Sequence, residues 1–249
     1  MQQYRMYHDL AHLWPVISPP EEYAEEAGHL RETFLDRLGP GRHSLLELGV
    51  GGGHVLSHLT QVFDATAVDL SPDMLALSER LNPGVEHHLG DMRSVRLPQT
   101  FQAVLIHDAV GYMLTEDDLL SAFRTAKAHL EPGGVLVVAP DWFQETFQSP
   151  SVLHWVNRRD DLEVTLIEYV HDPDVTDTTI ESIFFYLING PGGLRVEQDR
   201  HLTGLFPKAT WRRLLGEVGF ATEEISYPSY QDAYGQGGYG GNLIVATLR

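Results

Sequence analysis

The feature that most constrains the fold is the stretch 45–69, LLELGVGGGHVLSHLTQVFDATAVD. Its apolar opening, Leu45-Leu46-Glu47-Leu48, reads as a buried parallel strand. A glycine turn follows, Gly49-Val50-Gly51-Gly52-Gly53. Val55, Leu56, Leu59, Val62 and Phe63 then recur at helical spacing, and a second apolar run, 65–68, ends on the acid Asp69. A strand, a glycine turn, a helix and a second strand ending in a carboxylate make the opening of a nucleotide-binding βαβ unit.

The same rhythm continues downstream. Residues 1–20 are aromatic and irregular, and Pro19-Pro20 stops any helix there. Residues 21–38 read as a helix with Tyr23, Ala27, Leu30, Phe34 and Leu38 on one side. Ser71-Pro72 starts another, serine at the N-cap and proline at N1. Apolar runs at 85–89, 101–106 and 135–139 read as strands, the last fed by a tight turn at 131–134. Thr115 caps a helix running to about residue 130, with Asp118 at the capping-box position. This alternation predicts an α/β fold: a Rossmann-like, seven-stranded, mostly parallel sheet with helices on both faces.

The character changes at 150–205. Residues 162–170, 178–187 and 194–203 read as strands separated by turn signals, with no helix between them, so they should be antiparallel. The α/β rhythm resumes with a helix at 207–218 and strands at 220–226 and 243–248. Three parts are expected: a covering segment and helix at 1–42, a nucleotide-binding domain at 43–149 and 206–249, and an inserted antiparallel sheet at 150–205. The insert suits a substrate cap or the surface of a homodimer. The glycine-rich stretch 234–241 reads as a hairpin loop or a flap over a ligand.

Composition narrows the partners. With 17 Lys and Arg against 35 Asp and Glu, the net charge of −18 opposes binding to nucleic acid or to anionic membrane surfaces. No apolar run approaches the roughly 20 residues of a membrane span, and no secretory leader opens the chain. Cysteine is absent, which excludes disulfides and thiolate chemistry and fits a cytoplasmic protein. The 13 histidines do not form a metal-site pattern: no acid separates His54 from His58 in an H-E-x-x-H arrangement, and His87-His88 point to opposite faces of a strand.

Which nucleotide the turn holds depends on its spacing. A dinucleotide turn, G-x-G-x-x-G, needs a third glycine where His54 stands. The pattern acidic-x-G-x-G-x-G is met at every position by Glu47, Gly49, Gly51 and Gly53. Gly90-Asp91-Met92 after the third strand and Leu130-Glu131-Pro132-Gly133-Gly134 before the fifth accompany it. In these motifs the chain resembles the class I S-adenosylmethionine-dependent methyltransferases. The resemblance implies that Glu47 lies near the cationic cofactor and that Asp69, with Leu70 beside it, accepts the ribose hydroxyls. It also implies that Met74 packs on the adenine, that Asp91 holds the adenine amine, and that the Met92 N–H meets a ring nitrogen.

A closer similarity is carried by Tyr7-His8-Asp9, Glu22-Tyr23-Ala24-Glu25-Glu26-Ala27, Val110-Gly111-Tyr112-Met113-Leu114, residues 130–147 and His201-Leu202-Thr203-Gly204-Leu205-Phe206. These look like the N,N-dimethyltransferases of nucleotide-linked amino sugars. The chain departs from them at Ala139-Pro140-Asp141-Trp142, where those enzymes tend toward acid-proline-Trp-Trp. It departs again at 239–242, where they carry an arginine and this chain has none.

Methyl transfer from a sulfonium is an in-line displacement, so the protein chiefly aligns the groups. A neutral amine needs no strong base, whereas a hydroxyl does. The candidates for that work are His107 and Asp108 at the end of the fourth strand, His107 also lining the cofactor. Tyr112 lies in the same loop, Tyr7 is placed to close over the methyl donor, and His201 sits on the insert. The expected activity is methyl transfer to a small molecule, with an amine slightly favoured over a hydroxyl. An NAD(P)-dependent oxidoreductase and a non-catalytic cofactor-binding protein are the alternatives of another class.

Overall fold

The computed structural model describes residues 4–227 and 241–248. Most of the glycine-rich stretch expected to be a loop or flap, 234–240, lies outside them.

The prolines divide the N-terminal segment into short pieces. Single 3-10 turns span Arg5–Tyr7, Ala11–Leu13 and Pro20–Tyr23, around one turn of helix, α1 (Trp14–Ile17). Helix α2 (Ala24–Leu38) buries Ala27, Leu30 and Phe34 and stops at Gly39, whose φ of 84° admits no Cβ comfortably. The first strand, β1 (His43–Leu48), leads through the glycine turn to α3 (His54–Leu59). This helix is shorter than the apolar spacing suggests. Phe63 opens β2 (Phe63–Asp69) instead, and its ring meets Phe34 edge-on at 5.7 Å. Packing against α2 thus overrides the local helical period.

Ser71 caps α4 (Pro72–Leu81) by accepting the Met74 N–H at 3.2 Å. Then come β3 (Glu86–Leu89), β4 (Phe101–Ile106) and α5 (Glu116–His129). Thr115 caps α5, accepting the Asp118 N–H at 3.1 Å, and three acids in the first turn suit the positive end of the helix dipole. The turn expected before the fifth strand lies inside β5 (Leu130–Val138), as a register irregularity opposite Phe101 and Ala103.

The insert has four strands where the sequence suggested three: β6 (Ser151–Arg159), β7 (Leu162–His171), β8 (Thr179–Gly190) and β9 (Gly193–Gly204), all antiparallel and in that order. The unanticipated β6 is an edge strand whose Val152 and Val156 face outward while Leu153 and Trp155 face inward, so its apolar residues are split between the two faces. Helix α6 (Lys208–Val218) and strands β10 (Phe220–Tyr227) and β11 (Gly241–Leu248) complete the chain.

The main sheet runs β10-β11-β5-β4-β1-β2-β3, parallel except for β11, which is antiparallel to both neighbours. One core layer joins Leu46, Leu48, Val104 and Ile106 to Phe123 of α5 and Trp211 of α6. The other joins Leu45, Ala103 and Leu105 to Leu30 and Phe34 of α2 and Leu56 of α3. Connections leave β1 toward β2 on one side and β4 lies on the other, so the strand order reverses there. In such sheets ligands settle at the carboxyl ends of the strands at this reversal. No helix among the described residues is long and apolar enough to cross a membrane.

Candidate functional site

A cavity of about 510 Å³ opens at that position, in the usual size range for a small-molecule site. The carboxyl ends of β1 to β5 supply one wall: Glu47 and Gly49, Asp69, Asp91, His107 and Asp108, and Asp141 with Trp142. The N-terminal segment supplies Tyr4, Tyr7 and Trp14, and the inserted sheet supplies Glu168, Ser182, Phe184 and His201. Carboxylates dominate. Among the described lining residues Arg93 is the sole Lys or Arg, and it is bonded to Asp91 at 2.6 Å and Asp118 at 2.8 Å.

The glycine turn is forced by its neighbours. Gly49 and Gly53 have φ of 84° and 76°. A Cβ on Gly49 would lie 2.3 Å from the Ala109 side chain, and one on Gly53 would lie 2.2 Å from Ser78 Oγ. The N–H groups of Gly49 and Val50 both bond to the Val68 carbonyl, at 2.8 and 3.0 Å, which ties the turn to the end of β2. Asp69 completes the tie: its Oδ2 accepts the Gly51 N–H at 2.7 Å and its Oδ1 the Ser71 N–H at 2.8 Å. Burial still holds its carboxyl above the usual range.

Glu47 is the most telling group of this wall. It is 2% exposed, and its Oε2 has no hydrogen-bond partner among the described residues. Burial pushes its carboxyl up to about 8, opposed by the His107 cation and aided by Asp69, Asp108 and Glu26. A buried acid with an unmet oxygen in the wall of a cavity calls for a cationic or hydrogen-bond-donating ligand. S-adenosylmethionine carries both an ammonium and a sulfonium, so the donor set fits that cofactor. Leu70 is half exposed at the rim, and Met74 is buried beneath the turn, its Cε 3.6 Å from where a Gly51 Cβ would stand. Met92 lies against Gly49 and the core, and Asp91 is held low by Arg93 despite its burial.

His107 differs from the role foreseen for it. Its Nε2 lies 2.8 Å from Glu26 Oε1 and its Nδ1 3.0 Å from Asp108 Oδ1. Burial alone would lower its pKa, but the two carboxylates outweigh burial and hold it well above the ordinary value. The ring is an imidazolium bridging two acids, with no basic nitrogen, and the part of general base does not fit it. Glu26 was not foreseen. Its signal is a buried acid on the apolar face of α2, beside Ala27 and Leu30.

Tyr7, Tyr112 and His201, read separately in the sequence, form one chain. The Tyr7 and Tyr112 hydroxyls are 2.6 Å apart, and Tyr112 Oη lies 2.7 Å from His201 Nδ1. His201 Nε2 lies 2.7 Å from Asp199 Oδ2, which also accepts the Met6 N–H at 2.8 Å. The directions follow from the buried acid. An ionised Asp199 only accepts, so His201 donates from Nε2 and accepts at Nδ1. Tyr112 donates to Nδ1, and its oxygen accepts from Tyr7. The Tyr7 oxygen keeps a lone pair for the cavity. Burial raises the pKa of both tyrosines, keeping them neutral. Asp199 was missed in the sequence, although it shares the inward face of β9 with His201 at strand spacing. Of the aromatic pair after β5, Trp142 lines the cavity and Phe143 belongs to the core.

Comparison with known proteins gives the family. The family model of a methyltransferase domain matches residues 45–134. A dTDP-3-amino-3,4,6-trideoxy-alpha-D-glucopyranose N,N-dimethyltransferase of Streptomyces venezuelae is 36% identical, over 82% of this chain and 86% of the relative. A dTDP-3-amino-3,6-dideoxy-alpha-D-glucopyranose N,N-dimethyltransferase of Streptomyces fradiae is 30% identical, over 86% of this chain and 85% of the relative. Among solved structures, Streptomyces venezuelae DesVI superposes with a TM-score of 0.81 at 31% identity, covering 98% of this chain and 97% of that one. The S-adenosylmethionine-bound CalS10 of Micromonospora echinaspora, an amino pentose methyltransferase, follows at 0.76 and 27%, covering 91% and 92%. The chain therefore belongs to the class I S-adenosylmethionine-dependent methyltransferases, in the branch of the amino-sugar N,N-dimethyltransferases.

Proposed function

We propose that this cytoplasmic enzyme methylates the amine of an amino sugar or a similarly sized amine, and that it can do so twice. The observation that carries the reading is the Tyr7–Tyr112–His201–Asp199 chain, which enters the cavity shared with Glu47 and the glycine turn. The relatives' names support an amine acceptor.

When bound, S-adenosylmethionine supplies a methyl group on a positively charged sulfur. Glu47 would hold its cationic portion, Asp69 its ribose and Asp91 its adenine, beside Leu70, Met74 and the Met92 backbone. A neutral amine attacks without a strong base, but each transfer leaves an ammonium that must lose a proton before its nitrogen can attack again. The Tyr7 oxygen, with its lone pair toward the cavity, accepts an N–H of the acceptor and so aims the nitrogen's own lone pair. The proton then passes from Tyr7 to Tyr112 to His201, each hydroxyl giving up its own proton as it gains one. Asp199 steadies the resulting imidazolium, the duty of a buried acid behind a histidine. Asp108 is fixed by His107 at the same rim and adds negative charge where the ammonium forms.

The test is incubation of the purified protein with methyl-labelled S-adenosylmethionine and a set of acceptors. These are dTDP-3-amino-3,6-dideoxyglucose, the free amino sugar, and the matching sugar without the amine. Label is expected in mono- and dimethylated amines and not in the sugar lacking nitrogen. Transfer to the hydroxyls alone would make the enzyme an O-methyltransferase. Stabilisation by NAD(P) with no methyl transfer at all would overturn the reading.

A further inference from the structure

The inserted sheet carries a buried acid that the mechanism leaves unused. On β7 the inward positions run Val164, Leu166, Glu168 and Val170, so a carboxylate occupies an apolar register. Glu168 is 8% exposed, and burial pushes its carboxyl up to about 7. The Ser182 hydroxyl of β8 bonds to it.

The packing explains why the acid lies there. At one end of the sheet's inner face, Val164, Tyr186 and Ile188 are covered by the N-terminal segment through Met6, Leu10 and Leu13. At the other end, Val170 and Ile180 are covered by Trp142 and Leu205. The stretch between the two clusters faces the cavity with Glu168, Ser182 and His201. Ser182 pairs directly with His201 across the strands. Glu168, Ser182 and His201 are thus gathered at the gap between the two apolar clusters. A carboxylate offers about four acceptor positions, and one serine hydroxyl does not satisfy them. An acid buried at this cost, facing a cavity already rich in carboxylates, has no purpose in packing. It also stands on the sheet that does not carry the glycine turn, so it is placed for the acceptor and not the cofactor.

We propose that Glu168, with Ser182 beside it, binds a second hydrogen-bond donor of the acceptor, a hydroxyl or an ammonium on the same molecule as the amine that is methylated. This rests on the reading of the cavity as the site of an amine acceptor. The acceptor is therefore a ring amine that carries further donors. A single carboxylate in that place selects it over a plain amine of equal size.

The proposal can be tested without knowing the natural acceptor. The protein loaded with S-adenosylhomocysteine is titrated with cyclohexylamine and with aminocyclohexanols and diaminocyclohexanes of 1,2, 1,3 and 1,4 spacing. At least one doubly substituted ring should bind about tenfold more tightly than cyclohexylamine. In Glu168→Gln the advantage of the diamine should vanish, while that of the amino alcohol falls less, because the amide oxygen still accepts. Glu168→Ala should lose both. An unchanged affinity of each variant for S-adenosylhomocysteine shows that the fold and cofactor wall are intact. Equal binding of all the rings by the wild type, no ring binding at all, or an advantage that survives in both variants would overturn the proposal. Failure of the methyltransferase reading would show differently, as absence of S-adenosylhomocysteine binding or of methyl transfer.

Discussion

Glu47 makes cofactor binding depend on pH in a way that can be worked out. Its carboxyl, at about 8 in the ligand-free protein, is some nine-tenths protonated at pH 7 by simple titration. Binding a cation against it requires ionisation, so about 0.9 proton should leave per cofactor bound at pH 7. The penalty is about 1.4 kcal/mol there, a factor of about ten in affinity, and it disappears above pH 8. Affinity should therefore rise about tenfold from pH 6 to pH 7 and about fivefold more from pH 7 to pH 8. Calorimetry in buffers of different ionisation enthalpy reads both the affinity and the proton count. The ligand's own amine titrates alike with either protein, so comparison with Glu47→Gln isolates this residue. Glu47→Gln should release about 0.9 proton fewer than the wild type at pH 7 and bind more weakly at pH 8. If both S-adenosylmethionine and S-adenosylhomocysteine show the release, Glu47 faces the ammonium; if only the former does, it faces the sulfonium. Equal proton release from wild type and Glu47→Gln would refute the reasoning. The same acid bears on stability. Its folded value is raised, so the stability it allows is full below about pH 4.5 and is lost as the pH rises toward 8. The loss is on the order of 3 kcal/mol by pH 7, so Glu47→Gln should melt higher than the ligand-free wild type at neutral pH and no higher near pH 4.

Other outcomes follow from the neighbouring geometry. Tyr112→Phe cuts the chain between Tyr7 and His201, and should lower kcat by about 10²-fold while leaving the affinity for S-adenosylhomocysteine unchanged; stopped at one methyl, the product ratio should shift toward monomethylamine. Gly53→Ala places a Cβ 2.2 Å from Ser78 Oγ and 2.4 Å from Asn82 Nδ2 at a φ of 76°, and should cost about 1–3 kcal/mol in a denaturant titration. The His107 cation adds stability in full below about pH 6.5, and that is lost only as the pH passes its raised folded value. Stability profiles of the wild type should show no His107 step near neutrality, and Glu26→Gln, which removes one of its two carboxylates, should bring that step to lower pH.

The two halves of the cavity differed in how plainly they could be read. Glu47, Gly49, Gly51, Gly53 and Asp69 lie within one βαβ unit, where each spacing has a local backbone reason, so the glycine turn and the acid beside it could be read directly. The acceptor wall is assembled from distant strands. His201 meets Tyr112 only because β9 packs beside the loop after β4, and no local period announces that contact. Two signals were nonetheless present. Glu168 interrupts the apolar alternation of β7, and Asp199 lies two residues before His201 on one strand face. Glu26 broke the helical pattern of α2 in the same way. By contrast β6 was hidden because its apolar residues fall on both faces, Leu153 and Trp155 inward and Val152 and Val156 outward, so no alternation marks it. The end of α3 was misplaced because Phe63 answers to Phe34 across the core and not to its own helix.

The most direct measurement is the position of the transferred carbon. S-adenosylmethionine carrying a ¹³C methyl group is incubated with an amino-sugar acceptor and the protein, and the product is examined by carbon–proton correlation NMR. The expected signal is that of methyl carbon on nitrogen, with two methyls on one nitrogen at full conversion. A methyl signal on oxygen, or label that never leaves the cofactor, would contradict the assignment of this cavity to amine methylation.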